Sequence, residues 1–121
     1  MPPVARPRSP RVADHFQGRD PILRRIYDRL LVAARRLGPV EEDPKKTSIH
    51  VNRVSAFAGV ATRKAALIVT LKSETDVPSP RIVKHLRSSA RRWYLEVRLD
   101  SPGDVDAEFI RWLKRSYELS A

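Results

Sequence analysis

Two amphipathic stretches, each opened by a capping residue and a proline, bracket a middle that alternates with period two. This arrangement narrows the possible folds more than any other feature of the chain. Asp20 is a good helix N-cap, and Pro21 suits the first turn because its missing N–H would have no helical partner there. Ile22, Ile26, Leu30 and Ala33 or Ala34 then repeat at helical spacing, with Leu23, Tyr27, Leu31 and Leu37 widening the stripe. Gly38-Pro39 stops the helix. Arg24, Arg25, Asp28, Arg35 and Arg36 fall on the opposite face, and Phe16 is placed to pack onto the same core from a short lead-in. At the other end Ser101-Pro102 predicts a second helix start. Asp104 sits three residues after the cap, and Val105, Phe109, Trp112 or Leu113, and Ser116 or Tyr117 form the stripe.

Between the helices the period changes to two. Thr47, Ile49 and Val51 share one face of a strand, with Ser48 and His50 on the other. Residues 55–60 form a strand of small residues in which Gly59 marks a bulge. Residues 65–72 are the most apolar and so the central strand, and residues 81–85 read as a short edge strand. Residues 86–91 fit either a turn or one helical turn. Trp93, Leu95, Val97 and Leu99 face one way, against Tyr94, Glu96 and Arg98. Asn52-Arg53 and residues 61–64 supply turns, and the acidic run Glu41, Glu42, Asp43 reads as a solvated loop. The expected fold is α+β: a mostly antiparallel sheet of four to five strands, with an N-terminal and a C-terminal helix packed on one face. Residues 14–119 form a single domain behind a disordered Pro/Arg-rich tail, residues 1–13.

Composition limits the chemistry. With no cysteine among 121 residues, disulfides, thiolate metal sites and cysteine catalysis are excluded. No apolar run approaches the roughly 20 residues of a membrane span. The opening MPPVARPRSPR lacks the apolar stretch of a secretion signal, so a soluble, cytoplasmic protein is expected. The net charge is +10, unevenly placed: residues 44–72 carry six basic groups and no acid, whereas residues 101–121 are near neutral. Clustered positive charge attracts polyanions. Eighteen of the 24 basic residues are arginine, which grips phosphate bidentately; a GC-rich genome gives the same bias.

No complete catalytic motif appears. His15, His50 and His85 lack the spacing of a metal site, so no metal and no cofactor is expected. His50 and His85 could meet across the sheet. Ser48 and His50 lie about 7 Å apart along one strand face, too far for a nucleophile and its base. Helix capping accounts for Asp104 and Asp106.

Anion binding has better material. Lys46, Arg53, Arg63 and Lys64 sit at strand starts and turns, and Arg91 and Arg92 flank the last strand. If these hairpin ends meet, they form a positive patch at one rim. Ser48, His50 and Tyr94 would supply contacts on the open sheet face beside it. The expected role is a noncatalytic binding module for an anionic partner, with nucleic acid the leading candidate. One alternative is a protein-interaction or homodimerisation domain. Another is a small-molecule binder or unrecognised enzyme with a groove near His50 and Tyr94.

Several segments together resemble a known family. They are Lys46 to His50, Ala56 to Val60, Leu67 to Leu71, Ser89-Ala90-Arg91-Arg92, Ser101-Pro102, Asp104-Val105-Asp106, Trp112-Leu113 and Tyr117. The pattern, over roughly residues 14–119, is similar to a small bacterial family catalogued as domain of unknown function 5655. The resemblance implies a compact α+β domain and carries no activity or ligand with it. The Pro/Arg-rich tail and the strong positive charge set this chain apart from that pattern.

Overall fold

A computed structural model describes residues 9–121. Most of the expected tail, residues 1–8, lies outside the described residues. A short 3-10 turn at Val12–Phe16 leads into helix α1, Pro21–Leu37. Six strands follow: β1 Glu41–Pro44, β2 Ile49–Asn52, β3 Ala56–Thr62, β4 Leu67–Ser73, β5 Ile82–Ser89 and β6 Arg92–Leu99. A 3-10 turn at Pro102–Asp104 precedes helix α2, Ala107–Glu118. The sheet order is β1-β2-β3-β4-β6-β5, and every neighbouring pair is antiparallel. The chain leaves β4, skips one position to form edge strand β5, and returns as β6 between them.

The α+β class and the two flanking helices are as the sequence predicts, and the sheet is one strand larger than the upper expectation. The extra strand is β1, made from the acidic run Glu41, Glu42, Asp43 with Pro44. Its charges suit an edge. Glu42 turns toward α1, where Tyr27 donates its hydroxyl to Glu42 Oε2 at 2.8 Å and Arg35 bonds Oε1 at 3.4 Å. Burial and the Glu42 carboxylate push the Tyr27 phenol far above its ordinary pKa. An inward-pointing charge and a proline protect a sheet edge from stray pairing.

α1 begins as predicted, with the Asp20 carboxylate accepting from the Ile22 amide at 2.9 Å. Gly38 ends it at φ 150°, and a Cβ there would collide with the Tyr117 hydroxyl. That hydroxyl donates to the Pro39 carbonyl at 3.1 Å, which ties the two helices together. The second helix starts later than Ser101-Pro102 suggests. Those residues open only the 3-10 turn, where Asp104 accepts from the Asp100 and Ser101 amides. Asp106 is the true cap of α2 and accepts from the Phe109 amide at 2.9 Å. Arg81 fastens this corner by bonding Asp106, Glu108 and the Asp104 carbonyl.

Both helices cover the same face of the sheet. The core between them holds Leu23, Ile26, Tyr27 and Leu30 of α1 and Phe109, Leu113 and Tyr117 of α2. From the strands it takes Ile49, Val51, Phe57, Val60, Leu67, Val69, Leu71, Leu95, Val97 and Leu99. Phe16 packs at its margin, with its ring 5.3 Å from Tyr27. Trp93 and Trp112 are half-buried at the border. Edge strand β5 runs through residues 86–89, longer than the segment 81–85 anticipated, because the two-residue turn at 90–91 closes a hairpin with β6.

The bulge lies at Phe57, not at Gly59. Val51 pairs with Ala58 and Asn52 with Ala56, so Phe57 is the extra residue. Gly59 pairs regularly with His50 and Thr70. The bulge lets Phe57 and Ala58 both enter the core, where Phe57 meets the Tyr117 ring edge-on at 5.0 Å. It also ends the β3–β4 ladder at Ala58–Leu71. Ser116, fully buried on α2, fills the gap. Its hydroxyl donates to the Phe57 carbonyl at 2.5 Å and accepts from the Lys72 amide at 2.9 Å.

Ser116→Ala leaves a buried carbonyl and a buried amide unpaired. It is expected to destabilise the protein by about 1–3 kcal/mol, read as a lower urea midpoint with an unchanged slope.

Candidate functional site

The sheet face away from the helices carries the functional candidates. Its residues follow from register. One row crosses the whole sheet as Asp43, His50, Gly59, Thr70, Glu96 and Lys84. Two residues further along, Lys72 pairs with Tyr94, and Tyr94 with Leu86. By alternation Arg92 shares the face of Tyr94.

A shallow groove of about 370 Å³ runs over β2, β3, β4 and β6. Its wall residues include Ser48, His50, Thr70, Lys72 and Tyr94, and its floor includes Ala56, Gly59 and Ala61. The small side chains make the concavity: with alanine and glycine on β3 and longer side chains on β2, β4 and β6, the middle of the face is recessed. The structure thus brings Ser48, His50 and Tyr94 together in one groove. It adds Lys72, which the candidate set lacks. Lys72 is the only charged residue in β4, and alternation from Ile68 and Thr70 puts it on the open face. That signal was present in the sequence.

Lys72 Nζ donates to Ser55 Oγ at 2.8 Å. Burial, with repulsion from Arg92 adding to it, lowers the Lys72 pKa below the ordinary lysine value. Arg92 Nε is buried and has no hydrogen-bond partner, and the same holds for Asn52 Oδ1. Among the described residues no acid forms an ion pair with Lys72 or Arg92. Lys72, which lines the groove, and Arg92, two residues before Tyr94 on the same face, are therefore neighbouring cations with no acid in an ion pair to either. At the β1 margin, Lys45 lies 2.8 Å from Asp43. Its hydrogen bond holds the Asp43 carboxyl below the usual range against the opposing effect of burial, with smaller help from Asn52 and His50.

The six candidate anion-binding residues do not meet at one rim. Antiparallel topology puts the β1–β2 and β3–β4 turns at one end of the sheet and the β2–β3 and β5–β6 turns at the other. Lys46, Arg63 and Lys64 therefore stand at the first end, and Arg53, Arg91 and Arg92 at the second. A seven-residue strand separates them by about 20 Å. Arg53 is further committed to structure: it donates to the Tyr117 carbonyl at 3.2 Å and lies 4.4 Å from that ring's centre. Lys46, Arg63, Lys64 and Arg91 are exposed. Of the six, Arg92 alone adjoins Lys72.

The histidines do not converge either. His50 is on β2, while His85 is on β5, four positions away in the sheet, and bonds Asp76 at 2.5 Å. His15 Nε2 bonds the Lys45 carbonyl at 2.8 Å. Among the described residues no group of three or more histidine, aspartate and glutamate side chains could hold a metal ion. No helix there is long and apolar enough to cross a membrane.

The sequence matches the family described as Domain of unknown function (DUF5655) over residues 12–120. No curated protein and no solved structure matches the chain.

Because Arg92 adds to the depression of the Lys72 pKa, Arg92→Gln is expected to move the Lys72 titration upward. The part due to burial remains. Carbon-13 NMR of the lysine ε-carbon across the alkaline range reads this directly, and an unmoved Lys72 titration would show that the two cations are not coupled.

Proposed function

The chain belongs to the DUF5655 family, and from its own geometry we propose that it is a noncatalytic binding module for an anionic partner, held in the open-face groove. The observation that carries this reading is the pairing of Lys72 and Arg92 without an acid. Two adjacent cations repel one another, and an anionic group placed between them relieves that repulsion while bonding both. The Arg92 Nε itself is buried, so the terminal N–H groups of its guanidinium would make that bond.

The rest of the groove suits a nucleotide unit of a single strand. A phosphate meets Lys72 and Arg92, a flat ring lies over the recessed floor beside Tyr94, and His50 and Ser48 bond its edge. The split cations help less directly: Lys46, Arg63 and Lys64 at one end and Arg91 at the other extend the positive field along a strand's path. They would set salt dependence more than selectivity.

A second reading keeps the groove and shortens the ligand. At about 370 Å³ the groove is of a size to take one small anionic molecule.

Fluorescence anisotropy with labelled single-stranded and duplex DNA and RNA separates the outcomes. Single strands are expected to bind in preference to duplex and to remain bound at about 150 mM salt. Lys72→Ala should weaken binding and lower the slope of log affinity against log salt by about 1. Lys72→Ala with Arg92→Gln should weaken it further, whereas Lys64→Ala should act weakly. Equal affinity for a mononucleotide and for a long strand selects the small-ligand reading. Binding that is alike on all probes, gone by about 150 mM salt and indifferent to Lys72 and Arg92 overturns both.

A further inference from the structure

The outer edge of β5 differs from the other sheet edge in length, charge and apolar content. Seven of the eight β5 residues are exposed, and among the described residues no strand pairs with its outer side. An edge strand directs alternate amides and carbonyls outward, ready to bond another strand. β1, the opposite edge, has only four residues and ends in Pro44.

Residues 81–92 read RIVKHLRSSARR, with five basic residues and no acid. Arg81 is committed to Asp106 and Glu108, and His85 to Asp76. Lys84 approaches Glu96 only to 3.8 Å and leaves 63% of its side chain exposed. Arg87 lies 5.9 Å from the Trp93 ring centre. Register shifts at Ile82/Lys84 and Arg87/Ser89 leave Lys84, His85, Leu86 and Arg87 as the regular stretch.

Lysine and bulges on an edge discourage pairing between copies, because antiparallel self-pairing would bring like charges together. An edge designed only to avoid contact would not also display large aliphatics. Yet Val83 and Leu86 are two of the four exposed large hydrophobic residues among the described residues, each about half exposed. Positive charge with apolar side chains on an open strand is complementary to an acidic, alternating segment.

We propose that the outer edge of β5 is a docking edge for an extended acidic segment of a partner protein, which adds to the sheet as a seventh strand. The backbone of the segment bonds β5, its aliphatic side chains lie on the face of Leu86 and beside it, and its acids lie on the opposite face, where they meet Arg87. The inference is independent of the groove, because neither Lys72 nor Arg92 takes part.

The test uses the full chain and an end-blocked octapeptide of alternating glutamate and valine, followed by nitrogen-15 NMR. Binding is expected to shift β5 amides and to slow their hydrogen exchange. Lys84→Glu with Arg87→Glu should weaken binding about tenfold or more, and Lys72→Ala should leave it unchanged. The same glutamate–valine peptide with every backbone amide N-methylated has the charge without the amide donors and should bind far more weakly. Equal binding of the N-methylated peptide overturns the proposal in favour of unspecific attraction. So does an absence of binding at about 150 mM salt. If β5 amides are already protected without peptide, and the protein's mass rises with concentration, a second copy holds the edge and the proposal falls.

Discussion

The hydroxyl of Ser116 is the contact on which both faces of the sheet depend. At Phe57 the third strand takes one residue too many and parts from the fourth. Without a substitute, the Phe57 carbonyl and the Lys72 amide would be buried without partners, and each would incur its full desolvation cost. Ser116 bonds both from the helix side. Its own carbonyl accepts from Ser120 Oγ at 2.9 Å, and the Ser120 carbonyl accepts from the Val54 and Ser55 amides. The last turn of α2 therefore holds the β2–β3 turn, and with it the Ser55 hydroxyl that Lys72 reaches. Packing on one face fixes the position of a cation on the other.

Charge is distributed by topology more than by sequence proximity. Residues 44–72 carry only positive charge, which suggests one patch. An antiparallel meander sends successive turns to opposite ends, so Lys46, Arg63 and Lys64 part company with Arg53 and Arg92. What gathers instead is the pair Lys72 and Arg92, twenty residues apart and placed side by side because β6 inserts next to β4. Strong local fields in this protein arise from strand order, and a linear count of charges misplaces them.

The legible parts of the fold were those with strong local signals. Asp20-Pro21 and Gly38 bound α1 because caps and φ restrictions act within a few residues. The alternation of Leu95, Val97 and Leu99 is visible because each side chain answers to one face. β1 was hidden because Glu42 turns inward on the strength of a bond to Tyr27, a contact fifteen residues away that no local pattern records. The start of α2 was misplaced because Ser101-Pro102 and Asp106 are both sound caps, and only the Arg81 clasp and the burial of Val105 decide between them. At the groove, Ser48, His50 and Tyr94 were readable as open-face residues by parity. Lys72 obeys the same parity but sits in an apolar strand where a lone lysine looks like an ordinary solvated tip.

The bulge also explains why a groove exists at all. A regular third strand would send Phe57 and Gly59 to one face, filling the recess with a phenyl ring. The extra residue turns the Phe57 side chain inward, where it meets Tyr117 and the core, so that Phe57 borders the groove only from beneath and β3 presents Ala56, Gly59 and Ala61 on the open side. One irregularity thus supplies a large aromatic to the core, empties the middle of the opposite face and exposes a backbone gap that α2 must close. The recess is a by-product of core packing in its shape. In its chemistry it is not, since packing does not require the neighbouring cations Lys72 and Arg92 with no acid in an ion pair to either.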